Sequence, residues 1–236
     1  MKDLAQNIHV FDTSTQALDE IEAMAKNAGV NIVSFVNAHA CNMSTKSPDF
    51  EHALLNSDLL LRDGIGTKIL LKCFSRAAGA NLNGTDLIPL ILARLSNKRV
   101  VFIGTQEPYI SESVEVCKNQ NINVIGYMDG FGSNPTMLRF VEKHAPDIVI
   151  LGMGMPKQEL FAMYLKDNFQ QDLLIVNGGA IFDFLAGRFN RAPAFFRDNG
   201  LEWFYRLINE PRRLFQRYVL GIPIFFIKVI YARFIQ

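Results

Sequence analysis

The loop Arg62-Asp63-Gly64-Ile65-Gly66 follows an aliphatic run and holds the most suggestive carboxylate in the chain. Its two glycines let the backbone turn tightly and approach a ligand, which leaves Asp63 uncovered as a candidate general base and Gly64 beside it. The same Asp-Gly pair is also an ordinary turn dipeptide. Asn37-Ala38-His39-Ala40 ends an earlier apolar run, and Asn37 is either a polar contact to a sugar or base or a turn-forming residue; His39 reads as a polar loop residue. Gly84-Thr85-Asp86 and Gly104-Thr105-Gln106-Glu107 stand at transitions into helices, where backbone N–H groups attract an anion or a diphosphate. A fifth segment, Gly152-Met153-Gly154-Met155-Pro156-Lys157-Gln158-Glu159, lacks the third glycine of a dinucleotide fingerprint. Its glycines still permit close backbone approach to a nucleotide, and Lys157 and Gln158 fall in the first turn of the helix that Pro156 starts.

The elements that position these loops are legible from hydropathy. Short β-branched or aliphatic runs at Asn31–Val36, Asp58–Leu61, Arg99–Ile103, Ile122–Tyr127, Asp147–Leu151 and Leu173–Val176 alternate with longer amphipathic stretches. That alternation predicts an α/β fold with a parallel sheet flanked by helices. Thr13-Ser14-Thr15 caps a helix running to about Asn27, Ser47-Pro48 starts another, Thr85-Asp86 caps one over Leu87–Leu95, and Pro108 opens the next. In open parallel sheets ligands bind beyond the carboxyl ends of the strands, so the loops after the strands are where chemistry is expected.

The chain has 236 residues, 49% hydrophobic and 20% charged, which excludes a disordered or fibrous protein. A net charge of +1 argues against a protein that wraps nucleic acid. Cys41, Cys73 and Cys117 match neither a disulfide framework nor a zinc site, and no apolar run of signal-peptide length opens the chain, so a cytoplasmic protein is expected. The average conceals an asymmetry, with the boundary near Gly187. Residues 187–236 hold nine Lys or Arg against three acids and 12 of the 26 aromatic residues, a net +6, whereas residues 1–186 carry −5. The run Tyr218–Ile227 is broken by Gly221 and Pro223 and followed by Lys228, too short an uninterrupted stretch to span a bilayer. Its aromatics interleaved with arginine suit an interfacial segment, the alternative being a helix packed on the core or on another subunit. A Phe-rich surface on a small core also makes a homo-oligomer the expectation. At this level a nicotinamide-dependent oxidoreductase and a non-catalytic, nucleotide-binding, membrane-associated protein remain alternatives. The first lacks its glycine fingerprint after the first strand, and the second gives no reason for Asp63, Gln158 and the glycine loops.

Asn37, Asp63-Gly64, Gly84-Thr85-Asp86, Gly154-Met155-Pro156-Lys157-Gln158-Glu159 and Gly178-Gly179-Ala180-Ile181-Phe182-Asp183 occur in one order. Arg191-Ala192-Pro193, Gly200-Leu201-Glu202-Trp203-Phe204-Tyr205-Arg206-Leu207 and Glu210-Pro211-Arg212-Arg213 follow them. Over nearly its whole length the chain resembles the WecG/TagA/CpsF family of bacterial glycosyltransferases. The resemblance implies a Rossmann-like core over residues 1–190 and a helical, membrane-associating appendage over 191–236. It implies an inverting hexosyltransferase that moves a sugar of the N-acetylmannosamine, N-acetylmannosaminuronic acid or glucuronic acid type from a UDP-sugar to an undecaprenyl-diphosphate-linked acceptor. Such an enzyme works in cell-surface polysaccharide or teichoic acid synthesis, peripherally on the inner face of the cell membrane. An inverting transfer needs a base, for which Asp63 is suited, and neutralisation of the departing diphosphate. No Asp-x-Asp pair exists in the chain, so neither metal nor cofactor is expected. The cations expected instead are Arg206, Arg213 and Arg217, spaced for one side of a helix unless Pro211 breaks the phase, with Arg191 and Arg212 in reserve. The expected substrate contacts are Asn37, Gly64, Gly84, Asp86, Gly104, Gly154, Lys157, Gln158, Glu159, Gly179, Asp183, Arg191 and Arg212. The family often has Thr two positions before the strand-end Asn; here that residue is Phe35.

Overall fold

The structure, a computed structural model, describes residues 1–234. Six strands, β1 (Val30–Val36), β2 (Leu59–Arg62), β3 (Val100–Gly104), β4 (Val124–Asp129), β5 (Ile148–Leu151) and β6 (Leu173–Asn177), form one sheet in the order β2-β1-β6-β5-β3-β4. Every pairing is parallel, as the hydropathy predicts. Strand starts differ from expectation by a residue or two for local reasons. Asp58 and Asp147 stand just outside β2 and β5 because their carboxylates accept the N–H groups of Ile32 and Arg99, each at 2.8 Å. Asn121, in a left-handed conformation, closes the preceding helix through a bond from Ile122 N–H to the Cys117 carbonyl, which delays β4 to Val124.

The helices are α1 (Lys2–Asn7), α2 (Ser14–Met24), α3 (Ala38–Ser44), α4 (Pro48–Leu55), α5 (Gly64–Cys73), α6 (Gly84–Arg94), α7 (Tyr109–Asn119), α8 (Asn134–His144), α9 (Lys157–Asn168) and α10 (Ile181–Leu185), then α11 (Ala194–Asp198), α12 (Glu202–Asn209), α13 (Pro211–Phe215) and α14 (Gly221–Phe234). Thr13 and Ser47 cap α2 and α4 as expected, the former in a reciprocal capping box with Gln16. The cap of α6 is Asn83, whose side-chain oxygen accepts the Asp86 N–H at 3.0 Å, in place of the expected Thr85-Asp86. α2 ends at Met24.

Strand side chains alternate between two cores. Val33, Phe35, Val100, Phe102, Ile148, Ile150 and Val176 meet α2, α6, α7 and α10 on one face. Ile32, Val101, Ile103, Val149, Leu151 and Ile175 meet α8 and α9 on the other. A third cluster, beside β2 and the end of β1, joins Val36 and Leu60 to α1, α3, α4 and α5, and it includes Phe225 and Val229 of α14.

One expectation about the chain's end is corrected. Gly221 and Pro223 do not interrupt the apolar run. α13, a π-helical turn at Gln216–Leu220 and α14 form a continuous helix of 24 residues over Pro211–Phe234, whose most apolar 18-residue stretch has mean hydropathy 1.4, long and apolar enough to cross a membrane by length and composition alone. Pro223 falls in the first turn after the π register change, where a missing N–H costs little. One side of this helix is anchored to protein: Phe225, Val229 and Ala232 are buried, Lys228 donates to the Asn42 carbonyl and Thr45 Oγ1, and Asn42 Nδ2 donates to the Gly221 carbonyl at 2.6 Å.

Candidate active site

A cavity of about 270 Å³ opens at the carboxyl ends of β1 and β2, between α5 and the helices of the chain's end. Asn37 and Asp63 form its floor, and Trp203, Arg206, Arg217 and Tyr218 cover it. Local backbone chemistry places the carboxylate. Asp63 N–H bonds the Val36 carbonyl, tying the loop to β1, and Thr67 Oγ1 donates to the Asp63 carbonyl at 2.9 Å. Gly64 turns with φ of +84°, a left-handed geometry that favours glycine, and its N–H is taken by Asn81 Oδ1 at 2.7 Å. Asp63 precedes α5 at the capping position, yet its side chain caps nothing and stays available to the cavity.

Asn37 is a helix cap that also lines the cavity. Its Oδ1 caps α3 by accepting the N–H groups of His39 and Ala40 at 3.0 and 3.1 Å, and its Nδ2 is thereby aimed at Asp63 Oδ2, 3.3 Å away. Burial pushes the Asp63 carboxyl above the usual aspartate range, opposed by the Asn37 hydrogen bond and by the charges of Arg217, Arg206 and Arg62. Burial, with Arg217 adding to it, holds the His39 imidazole down at about 4, so it is neutral near pH 7. Arg62 is not free to act: its guanidinium is spent on the carbonyls of Gly64, Gly79 and Ala80 and braces this loop.

Arg206 and Arg217 are different. The Nε of each is buried without a hydrogen-bond partner, an arrangement that costs stability unless an acceptor arrives. They reach the cavity from separate helices, because the chain breaks at Glu210 (φ −133°, ψ 57°) between α12 and α13. Arg213 therefore leaves the common side: its Nε bonds Glu210 at 2.5 Å and its guanidinium lies over Phe189, while Arg212 is exposed and does not line the cavity. Asp86 and Arg191 bond each other at the rim, with Arg197 at 4.0 Å from Asp86 and Glu202 at 3.8 Å from Arg191. This clasp holds the start of the terminal helices to the first turn of α6.

The loops after β3, β5 and β6 do not line this cavity. Gly104 and Gly152 lie beneath Phe182, where an added Cβ would come within 2.5 and 2.4 Å of the ring, so packing alone requires glycine at both positions. Gly84 packs over Phe35, which is buried in the core and does not reach the cavity either. Gly154 and Gly179 have φ of +77° and +61° with open space beside them, but their N–H groups are both taken by Gln158 Oε1, at 3.1 and 3.0 Å. Gln158 and Glu159 are each only 1% exposed, and Gln158 braces these loops. Burial raises the Glu159 carboxyl to about 7. Asp183 accepts from Thr105 Oγ1 at 3.2 Å and from Arg188 at 2.9 Å, and the Lys157 ammonium stands over exposed Phe131.

Sequence reading passed over His39, Asn81, Glu202 and Trp203, all of which line the cavity. A signal existed for two of them: Glu202 and the single Trp adjoin each other in a motif otherwise valued for Arg206. Burial also raises the Glu202 carboxyl, with Arg191 opposing it. Among the described residues no three His, Cys, Asp or Glu side chains group as a metal site.

The comparisons with known proteins identify the family. Residues 2–236 match the model of the glycosyl transferase WecG/TagA/CpsF family. The chain is 32% identical to an N-acetylglucosaminyldiphosphoundecaprenol N-acetyl-beta-D-mannosaminyltransferase of Bacillus spizizenii, over 86% of this chain and 80% of that protein. A protein of the same name from Bacillus subtilis (strain 168) is 30% identical over 81% of this chain and 76% of its own length. A base candidate at a sheet edge, faced by unbonded guanidinium groups, is thus found in a chain that belongs to the WecG/TagA/CpsF family of glycosyltransferases.

Proposed function

We propose that the enzyme is an inverting, metal-independent hexosyltransferase that moves a sugar of the N-acetylmannosamine class from a UDP-sugar to an undecaprenyl-diphosphate-linked saccharide. The observation that carries the mechanism is the pairing of Asp63 with the unbonded Nε groups of Arg206 and Arg217 in one cavity. In the step proposed, the acceptor hydroxyl oxygen attacks the anomeric carbon from the side opposite the nucleotide. Its proton passes to Asp63, and the bond from the anomeric carbon to the diphosphate oxygen breaks. The negative charge that develops on UDP is met by Arg206 and Arg217, which act where other enzymes place a divalent cation. The names of the two Bacillus relatives support the acceptor and the sugar class.

Residues 191–236 act in this reading as the appendage to a core of residues 1–190. Leu220, Ile224, Ile227, Tyr231 and Phe234 recur at spacings of four and three along the outward side of the terminal helix and are all exposed. That stripe enters the acyl boundary of the inner membrane face while the inward side stays on α3 and α5, so the protein binds peripherally and meets its lipid-borne acceptor there. Away from a membrane the same stripe is the surface through which copies self-associate.

The test is transfer of radiolabel from a panel of UDP-sugars to a short-chain prenyl-diphosphate N-acetylglucosamine, with and without EDTA. Transfer from the N-acetylmannosamine donor that survives EDTA is expected. No transfer from any UDP-sugar, or transfer abolished by EDTA and restored by a divalent ion, would overturn the assignment or its metal-independent step respectively.

A further inference from the structure

Glu159 is a carboxyl buried in the first turn of α9, 1% exposed, with no cation beside it and its Oε2 without any hydrogen-bond partner. Burying such a group is costly, and an apolar residue would fill the position at lower cost. Its one side-chain bond is informative. Glu159 Oε1 accepts from Gln158 Nε2 at 2.8 Å.

Gln158 is itself committed at its other end. Its Oε1 accepts two backbone N–H groups, Gly154 after β5 and Gly179 after β6, and so joins the loops of adjacent strands. A primary amide has one acceptor end and one donor end. If the Gln158 amide turned over, its NH₂ would face two N–H donors and both loop bonds would be lost. An acceptor oxygen at the Nε2 end, present in either protonation state of a carboxyl group, selects the orientation that keeps them. Glu159 supplies this acceptor, out of contact with solvent that could supply it instead.

We propose that Glu159 is a positioning residue: by holding the Gln158 amide in one orientation, it fixes the Gly154 and Gly179 turns that form the donor-binding edge of the sheet. The functional half rests on the UDP-sugar reading above and adds to it that the nucleotide, its diphosphate held by Arg206 and Arg217, extends along the carboxyl edge beyond the Asp63 cavity. Both glycines present open, side-chain-free surface there.

The full-length protein labelled with ¹⁵N-glycine provides a readout that needs no ligand. Amide exchange at Gly154 and Gly179 is compared in wild type, Glu159→Gln, Glu159→Leu and Glu159→Met. The glutamine variant keeps an acceptor oxygen and is expected to preserve protection at both glycines within about threefold; the two apolar variants are expected to lose at least about tenfold. UDP affinity should follow, unchanged in the glutamine variant and weakened about tenfold in the apolar ones, with melting temperatures no lower than wild type. Protection retained at both glycines in the apolar variants overturns the positioning role. Protection lost with UDP affinity unchanged overturns the functional half. Failure of wild type to bind UDP overturns the donor reading together with that half, and the exchange data still decide the positioning role.

Discussion

Replacing Asp63 with Asn is the sharpest test of the mechanism, because the structure predicts three outcomes of different sign. The amide introduced by Asp63→Asn keeps the shape of the side chain and, through its carbonyl oxygen, can still accept the hydrogen bond from Asn37, which spans 3.3 Å in the native protein, so the loop should be undisturbed. The substitution removes the proposed base from the cavity, and general-base catalysis is worth about 10²- to 10⁴-fold. Turnover should therefore fall by that factor, about 3–5 kcal/mol in activation free energy. UDP binding should hold or tighten, since a carboxylate that opposes the incoming diphosphate is gone while Arg206 and Arg217 remain. Stability at neutral pH should not fall. The folded protein raises the Asp63 pKa, so it disfavours the charged form, and the neutral amide escapes that penalty. Single-turnover transfer, UDP calorimetry and thermal unfolding report the three quantities separately. Turnover within tenfold of wild type, with UDP binding intact, would show that the base lies elsewhere.

Other expectations follow from the same geometry. Asn37→Ala removes the hydrogen bond that favours ionised Asp63, so the acid limb of kcat/KM should move to higher pH; a limb that stays or moves down contradicts the assignment. Arg206→Gln and Arg217→Gln should each weaken UDP binding by roughly 10- to 100-fold, the value of a hydrogen bond to a charged group, whereas exposed Arg212→Gln should change it less than about twofold. Glu159 has a folded pKa of about 7 against a reference of 4.5, so the stability conferred by its neutral form is complete below pH 4.5 and is lost as pH rises through 7. Urea unfolding of Glu159→Gln relative to wild type should accordingly improve by about 3 kcal/mol between pH 4.5 and pH 8, and a flat difference refutes that burial effect. Phe225→Ala empties a fully buried ring site beneath α14 and should cost about 3–5 kcal/mol, read as proteolytic release of the chain's end before the core unfolds.

Much of this molecule is written locally. Six strands, their parallel arrangement and the helix starts at Thr13 and Ser47 follow from hydropathic period and capping chemistry, which act over a few residues and need no partner from afar. The place of the chemistry was legible too, because strand ends and glycines mark where backbone polar groups and side chains emerge at a sheet edge. The sequence could not say which of the marked residues face one another. Gly104 and Gly84 carry the same signature as Gly64, yet Phe182 and Phe35 cover them. Gln158 and Glu159 look like ligand contacts and are instead sealed between two loops. Arg213 shares a helical spacing with Arg206 and Arg217, but the break at Glu210 sends it to a local carboxylate. Each of these outcomes depends on a neighbour distant in the chain or on one backbone torsion, and a one-dimensional pattern contains neither. Local propensity determined the scaffold; the packing of the chain's terminal helices over β1 and β2 decided which carboxylate meets which cations.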